Sequence, residues 1–405
     1  MVVSLDDVRE AGKRVAPVLR PTPSWTSTAL SALASRPVWC KPEHLQRTGS
    51  FKIRGAFNRV SRVGPARSGE PPAGVVAASA GNHGQAVALA ASLRGLTATV
   101  FMPRTAALPK VEATRAYGAE IVSVAGTVDD AIAAAHAMAA DTGRTFVAPF
   151  DDPLVVAGQG TVGLEVAAEV PAAEVVVVPV GGGGLIAGMA VALKALHPSV
   201  TVIGVEAAGA ASMRASLDAG ACVRLPSVDT IADGIALKSP CALTLALVQA
   251  LVDDVVTVTE EEISRAVLLL LERTKQVVEP SGAVGLAALL AGRVPGTGPA
   301  ATVLSGGNVD PLLLLKLIDH GLSSAGRYLV LRVITDDQPG ALAAFSAAVA
   351  GLGLNVLSVE HHRSGLGLGV DEVEMVVTVE TRDPDHRHEV VAALAAAGQR
   401  VELLR

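Results

Sequence analysis

The sequence is poor in aromatic side chains: Phe, Tyr and Trp make up 2% of its 405 residues. It holds three cysteines, Cys40, Cys222 and Cys241, and no strong excess of either charge, with 33 basic against 39 acidic residues for a formal net charge of −6. Each shortage excludes something. A mildly acidic chain with few aromatics lacks the footprint of a nucleic-acid surface. Cysteines so far apart fit neither a disulfide framework nor the spacing of a zinc site, which points to a reducing, cytoplasmic setting. The opening MVVSLDDVREAGKR has no basic start followed by an apolar run, so it does not read as a secretory signal. No apolar stretch is long enough to cross a bilayer. VLLLLERTK (267–275) and PLLLLKLIDH (311–320) are short, broken by charge, and read as core helices. Neither a membrane nor a nucleic acid is expected as a partner.

What the chain has instead is Ala, Val, Leu and Gly, with half of all residues hydrophobic. GVVAAS precedes QAVALAASLRG, TATVFM precedes ALPKVEATRAYG, AEIVSV precedes TVDDAIAAAHAMAA, and EVVVVPV precedes LIAGMAVALKALH; TVIGVEA (201–207) and ATVLSG (301–306) add strands. Val-rich runs alternating with helices predict parallel sheets covered on both faces. Near SSAGR (323–327) the composition turns to small residues suited to a linker. Beyond it YLVLRVI, ALAAFSAAVAGLG, NVLSVEHHR, VDEVEMVVTVE, DHRHEVVAALAAAG and RVELL give the βαββαβ order of a ferredoxin-like domain. The chain therefore divides into a large α/β body, residues 1–322, and a small α+β domain, residues 327–405. His361 and His362 beside Glu360 are neighbours on a strand and point to opposite faces, so they read as solvated charge rather than metal ligands.

Three glycine-bearing turns follow strands. In VVVVPVGGGGLIAG a buried strand runs into Gly181, Gly182, Gly183 and Gly184 and then a helix, so backbone N–H groups can converge on a phosphate with the helix's positive end behind them. A purely structural turn is the alternative, as is a dinucleotide site using Glu206 at nearly the right distance, although the spacing matches neither a P-loop nor GxGxxG. In VVAASAGNHGQAVALAA the turn holds Ser79, Gly81, Asn82 and His83 before a helix expected from about Gln85. It offers either a carboxylate-binding crevice or an ordinary cap with a satisfied histidine. In TVLSGGNVD, Ser305 closes a strand as a hydroxyl that can cap it or face a ligand.

TGSFKIRGAF (48–57) places Lys52 at a helix start, with Ser50 as the expected N-cap and Ile53, Ala56, Phe57 and Val60 as an apolar stripe. Lys52 is either a solvated lysine with its stem packed on that stripe, or a buried one pushed toward its neutral, nucleophilic amine. Taken together, a lysine at a helix start, a phosphate cradle, a carboxylate-binding turn and a neutral hydroxyl are the parts of a pyridoxal phosphate enzyme acting on an amino acid.

KPEHLQRTGSFKIRGAF, ASAGNHGQAVA, GQGT, GGGGLIAG, TIADG, VEPSGA and SGGN, in this order, closely resemble the threonine dehydratases (threonine ammonia-lyases) of the tryptophan-synthase-β-like, fold type II pyridoxal phosphate family. The tail, with DQPGAL and NV, resembles an ACT domain. The resemblance implies that Lys52 bonds covalently to the cofactor and serves as catalytic base. It implies further that Phe51 packs on the cofactor ring, that Asn82 hydrogen-bonds its phenolic oxygen, that Gly181 to Gly184 with Leu185 hold its phosphate, and that Ser305 faces its pyridine nitrogen. Ser79, Gly81, Asn82 and His83 would hold the substrate carboxylate, and Gly340 and Asn355 an amino-acid effector. The implied reaction is β-elimination of L-threonine to 2-oxobutanoate and ammonia in a cytoplasmic homo-oligomer, dimer or tetramer, serving isoleucine biosynthesis.

Related serine racemases resemble this chain but carry a second serine where Ala80 stands, and alanine has no proton to give the opposite face of a substrate. Some relatives bind a divalent metal near the position of Glu206; Ser212 replaces an expected Asp there, so no metal is assigned, while a weaker cation on Glu206 and backbone carbonyls stays open. A serine-preferring dehydratase stays open, because a β-methyl changes pocket packing by only ~1 to 3 kcal/mol. So does an amino-acid sensor whose body no longer catalyses.

Overall fold

The computed structural model describes residues 2–64, 74–324, 326–363 and 368–404. The chain forms two compact units, Met1–Pro311 and Leu312–Arg405. Residue 325, at the centre of the expected linker, lies outside the described residues, and the helix Pro311–Ser324 runs up to it.

The first unit is built on two sheets. One has the strand order Trp25–Thr26, Val38–Lys41, Ala300–Val303, Val175–Pro179, Thr201–Ala207 and Asp254–Val258, parallel except for its first pair. The other runs Glu120–Val124, Thr97–Pro103, Gly74–Ala78, Thr145–Phe146, all parallel. The central strands Val175–Pro179 and Gly74–Ala78 are buried at every position, as sheets covered on both faces require.

With so few aromatics, the helices fill space by approaching closely. The helices Lys52–Val60 and Pro153–Glu169 cross where neither has a side chain: a Cβ on Gly158 would stand 2.6 Å from the Gly55 Cα. This crossing sets the height of the Lys52 helix against the body. It is locked by buried charge: Arg54, with no exposed surface, bonds both oxygens of Glu43 at 2.7 Å and both of Glu165 at 2.6 and 2.9 Å. Lys41 joins Glu165 at 2.6 Å and Glu169 at 2.9 Å. Buried ions on this scale contribute little net stability, but they select one arrangement, because any other leaves a charge unpaired.

The second unit has the expected βαββαβ order: Tyr328–Asp336, Ala341–Gly351, Val356–His362, Glu372–Glu380, Pro384–Ala396 and Arg400–Leu403. Its antiparallel sheet runs Val356–His362, Glu372–Glu380, Tyr328–Asp336, Arg400–Leu403. Alternate residues of the central pair, such as Leu331, Val333, Met375 and Val377, are buried with Phe345 and Leu394 from the two helices. His361 and His362 lie on the exposed edge strand, His362 Nε2 3.6 Å from Glu360.

Two expectations about apolar runs need correction. The helix over 311–320 forms, but Leu312 and Leu315 are 71% and 64% exposed, so it is not a core helix. The run 267–275 is not one helix: an α-helix ends at Leu269, a π-helical turn spans Leu270–Thr274, and Lys275 is left-handed at φ 60°. Val267 and Leu270 are buried while Glu272, Arg273 and Lys275 are exposed. The polar residues that close the run turn it out of the core.

Candidate active site

Lys52 opens the helix Lys52–Val60, but Ser50 does not cap it. Phe51, already helical at φ −58° and ψ −18°, takes the cap position and supplies no side-chain oxygen. Ser50 is extended and bridges Gly306, and its buried Oγ has no hydrogen-bond partner among the described residues. The Lys52 amine donates to the Pro149 carbonyl at 3.2 Å and lies 5.2 Å from the centre of the Phe51 ring. Although part of the residue is exposed, burial of the amine lowers its pKa to about 8, against an opposing pull from Glu279.

Pro149 leads into Phe150, and Phe150 reaches the glycine turn: its ring fills the space that a Cβ on Gly182 would need. Gly183 is left-handed at φ 84° and precedes the helix Gly184–Leu196; a Cβ on it would stand 2.6 Å from the Met213 methyl. The N–H groups of a first helical turn, here those of Gly184 and Leu185, have no partner within the helix. Four bare residues leave them open to an anion, so the turn fits the phosphate of a pyridoxal cofactor.

The strand Gly74–Ala78 ends at Ser79, whose Oγ accepts from the Gly81 N–H at 3.2 Å. The next helix starts at Asn82, three residues before the expected Gln85, with Gly81 as its cap. Asn82 and His83 are therefore its first turn, and their N–H groups join the open set. The His83 ring is buried and its Nε2 donates to the Val147 carbonyl at 2.8 Å. Burial, with the Lys52 charge second, lowers its pKa to about 3, so the imidazole is neutral. What His83 can offer a carboxylate is its backbone N–H; its ring ties the turn down.

Ser305 is buried beyond the strand Ala300–Val303, and its carbonyl accepts from the Phe51 N–H at 3.2 Å. The neighbouring Gly306 carbonyl accepts from the Glu279 N–H at 3.0 Å. Glu279 Oε1 in turn accepts from Asn82 Nδ2 at 2.8 Å, and Asn82 Oδ1 accepts from Asn308 Nδ2 at 2.7 Å. Burial, then the charge of Asp233, raises the Glu279 carboxyl to about 7. Lys52, the glycine turn, the Ser79 turn and Ser305 are thus linked into one site through Pro149 and Phe150 on one side and Gly306, Glu279 and Asn82 on the other.

Glu279, Asn308, Pro149 and Phe150 were not singled out in the sequence. Glu279 lies in VEPSGA just before a helix that starts at Pro280, where a carboxylate reads as an ordinary cap. Asn308 closes the SGGN motif without having been given a role, and nothing local marks Pro149 and Phe150.

Glu206 is fully buried, and both its oxygens accept backbone N–H groups, from Met213 and Arg214, at 2.8 Å each. Burial raises it to about 7. It holds the start of the helix Ser212–Ala219. In the second unit, Gly340 is left-handed at φ 99° before the helix Ala341–Gly351. Asn355 donates from Nδ2 to Glu380 at 3.3 Å and accepts from the Glu380 N–H at 2.9 Å.

The fold and this arrangement of residues define a fold type II pyridoxal phosphate protein, and residues 15–306 match the family model described as pyridoxal-phosphate dependent enzyme: the chain belongs to that family. Residues 329–399 match the ACT domain. Among individual proteins, the chain is 44% identical over 403 residues to an L-threonine ammonia-lyase of Thermotoga maritima, covering 100% of both. It is 46% identical over 399 residues to one from Geobacter sulfurreducens, covering 98% of both. The solved processed form of threonine deaminase isoform 2 from Solanum lycopersicum superposes with a TM-score of 0.73 at 37% identity, covering 78% of this chain and 86% of that one.

Proposed function

We propose that the protein is a threonine ammonia-lyase that converts L-threonine to 2-oxobutanoate and ammonia, and L-serine to the corresponding 2-oxo acid. The observation that carries this is the Lys52 amine, lowered to about 8 and bonded to the segment whose next residue walls the glycine turn. When bound, pyridoxal phosphate supplies an aldehyde for the amino group and an electron-withdrawing ring that acidifies Cα–H. A substantial share of the Lys52 amine is neutral near pH 8, as a base for that proton must be. The Ser79 turn holds the substrate carboxylate with the open N–H groups of Asn82 and His83, the Gly81 N–H being taken up by Ser79 Oγ, and this orients Cα–H toward the lysine. Ser305 presents a neutral hydroxyl where an aspartate would enforce a protonated ring nitrogen, an arrangement suited to prompt β-elimination. Ala80 carries no proton for the opposite face, which favours elimination over racemisation.

We assign residues 1–322 to catalysis and residues 327–405 to regulation by an amino acid, isoleucine by preference, at Gly340 and Asn355. A cytoplasmic homo-oligomer, dimer or tetramer, acting in isoleucine biosynthesis follows from this reading. The test is steady-state release of ammonia and 2-oxo acid from L-threonine and L-serine by the cofactor-loaded protein. A higher kcat/KM for serine would move the assignment to a serine dehydratase. No turnover of either would leave an amino-acid sensor.

A further inference from the structure

Asn82 is the one proposed cofactor contact whose side chain is an amide, and an amide can meet an oxygen with either its acceptor or its donor. Which it presents is settled by a directional chain of hydrogen bonds. Asn308 Nδ2 donates to the Thr48 carbonyl at 2.7 Å, and a carbonyl can only accept, so this end of Asn308 is its NH2. The same nitrogen donates at 2.7 Å to Asn82, which must therefore turn its Oδ1 toward Asn308. That leaves the Asn82 NH2 on the far side, donating to Glu279 Oε1 at 2.8 Å. One of its two hydrogens is used there and the other has no partner among the described residues.

The ends of the chain are rigid. Thr48 and Gly49 are both left-handed, at φ 63° and 71°, and the Asn308 side chain sits directly against Gly49. The Gly307 N–H donates to the Gly49 carbonyl at 2.9 Å, so the two loops are also tied through their backbones. At the other end Glu279 is 4% exposed, with Gly306 packed against its carboxylate.

We propose that Asn308 is a positioning residue: together with Thr48 and Glu279 it locks the Asn82 amide in the flip state that aims an N–H, never a carbonyl, at the phenolic oxygen of the cofactor. The inference rests on the reading of Asn82 as a cofactor contact. An N–H donated to that oxygen favours its ionised form, so the lock also sets the pH at which the ring oxygen titrates.

The test uses purified protein without substrate. It measures cofactor affinity by equilibrium titration and follows the visible absorbance of the bound cofactor across pH, with thermal melts as a folding control. Asn308→Ala should bind the cofactor roughly ten- to a hundredfold more weakly, the worth of one charge-assisted hydrogen bond, and should raise the absorbance transition by about one pH unit. Asn308→Asp is closer in shape but reverses the polarity toward Asn82, so it should lose at least as much affinity as the alanine variant; a purely space-filling role predicts the milder loss. Asn82→Ala should match Asn308→Ala. If Asn82→Ala changes both readings while both Asn308 variants keep wild-type values, the lock is overturned although the Asn82 contact stands. If Asn82→Ala changes neither, the contact itself is wrong and the inference fails with it.

Discussion

The Phe51 N–H donates to the Ser305 carbonyl at 3.2 Å, tying the residue before the proposed catalytic lysine to the residue proposed to face the cofactor's ring nitrogen. The two sit more than 250 positions apart in the chain. Because the bond is between backbones, no substitution other than proline at position 51 takes away its donor or acceptor, and the spacing of the two groups is a property of the fold. The substitutions that can disturb the site are those of the side chains around it.

As the proposed point of cofactor attachment, Lys52, with its pKa of about 8, should set the pH dependence of that step. Below that pH the amine is protonated and cannot attack an aldehyde; above it the amine is free. Reconstitution of the apoenzyme with pyridoxal phosphate, followed by absorbance, should therefore accelerate as pH rises through about 8 and level off well short of the ordinary lysine range. Lys52→Ala should show neither the covalent absorbance band nor measurable ammonia release. Full turnover in that variant would remove the lysine from the mechanism.

Gly182→Ala should weaken cofactor binding roughly ten- to a hundredfold, as expected for losing one or two charge-assisted hydrogen bonds. The added methyl displaces the Phe150 ring, and Phe150 is covalently joined to Pro149, the partner of Lys52. Fluorescence titration of the apoprotein with cofactor measures the effect. Unaltered affinity would mean that the turn does not hold the phosphate.

Arg54→Met should destabilise the protein by about 3 to 5 kcal/mol, because Glu43 and Glu165 lose their shared partner and Glu43 is fully buried. Denaturant melts of the apoprotein read this directly. Adding Glu43→Gln to the same chain should recover part of the loss by removing the stranded charge, an outcome that a simple packing defect would not give.

Conversion of L-serine should yield no D-serine by chiral chromatography, since Ala80 has no proton to deliver. Ala80→Ser restores a hydroxyl at that turn, and a detectable D-enantiomer is expected from it. Racemisation by the unaltered protein would refute this use of Ala80.

Removing residues 326–405 should abolish any response of the threonine rate to isoleucine or valine while leaving turnover in place. The check is a pair of inhibition curves, full-length against truncated. Identical curves would place the effector site in the catalytic unit.

The glycine turn, the Ser79 turn and the Lys52 helix were legible because each is local: a strand, a short run of special residues and a helix, read within about fifteen positions. The βαββαβ order of the tail was legible for the same reason. The errors lie where tertiary context overrides a local pattern. Ser50 has the chemistry of a cap, but its bridge to Gly306 pulls it extended and leaves Phe51 in the cap position. PLLLLKLIDH has the composition of a core helix, yet Leu312 and Leu315 face outward.

By itself, then, the order of residues determined which groups are available: an amine at a helix start, bare peptide N–H groups after two strands, and a neutral hydroxyl after a third. Local backbone preference and side-chain chemistry are enough for that. Only the tertiary structure decided their protonation and aim. Burial brings Lys52 to about 8, Glu279 to about 7 and His83 to about 3, and the Thr48, Asn308 and Glu279 contacts orient Asn82. Desolvation and hydrogen-bond direction depend on neighbours that are distant in sequence, so no local stretch encodes them.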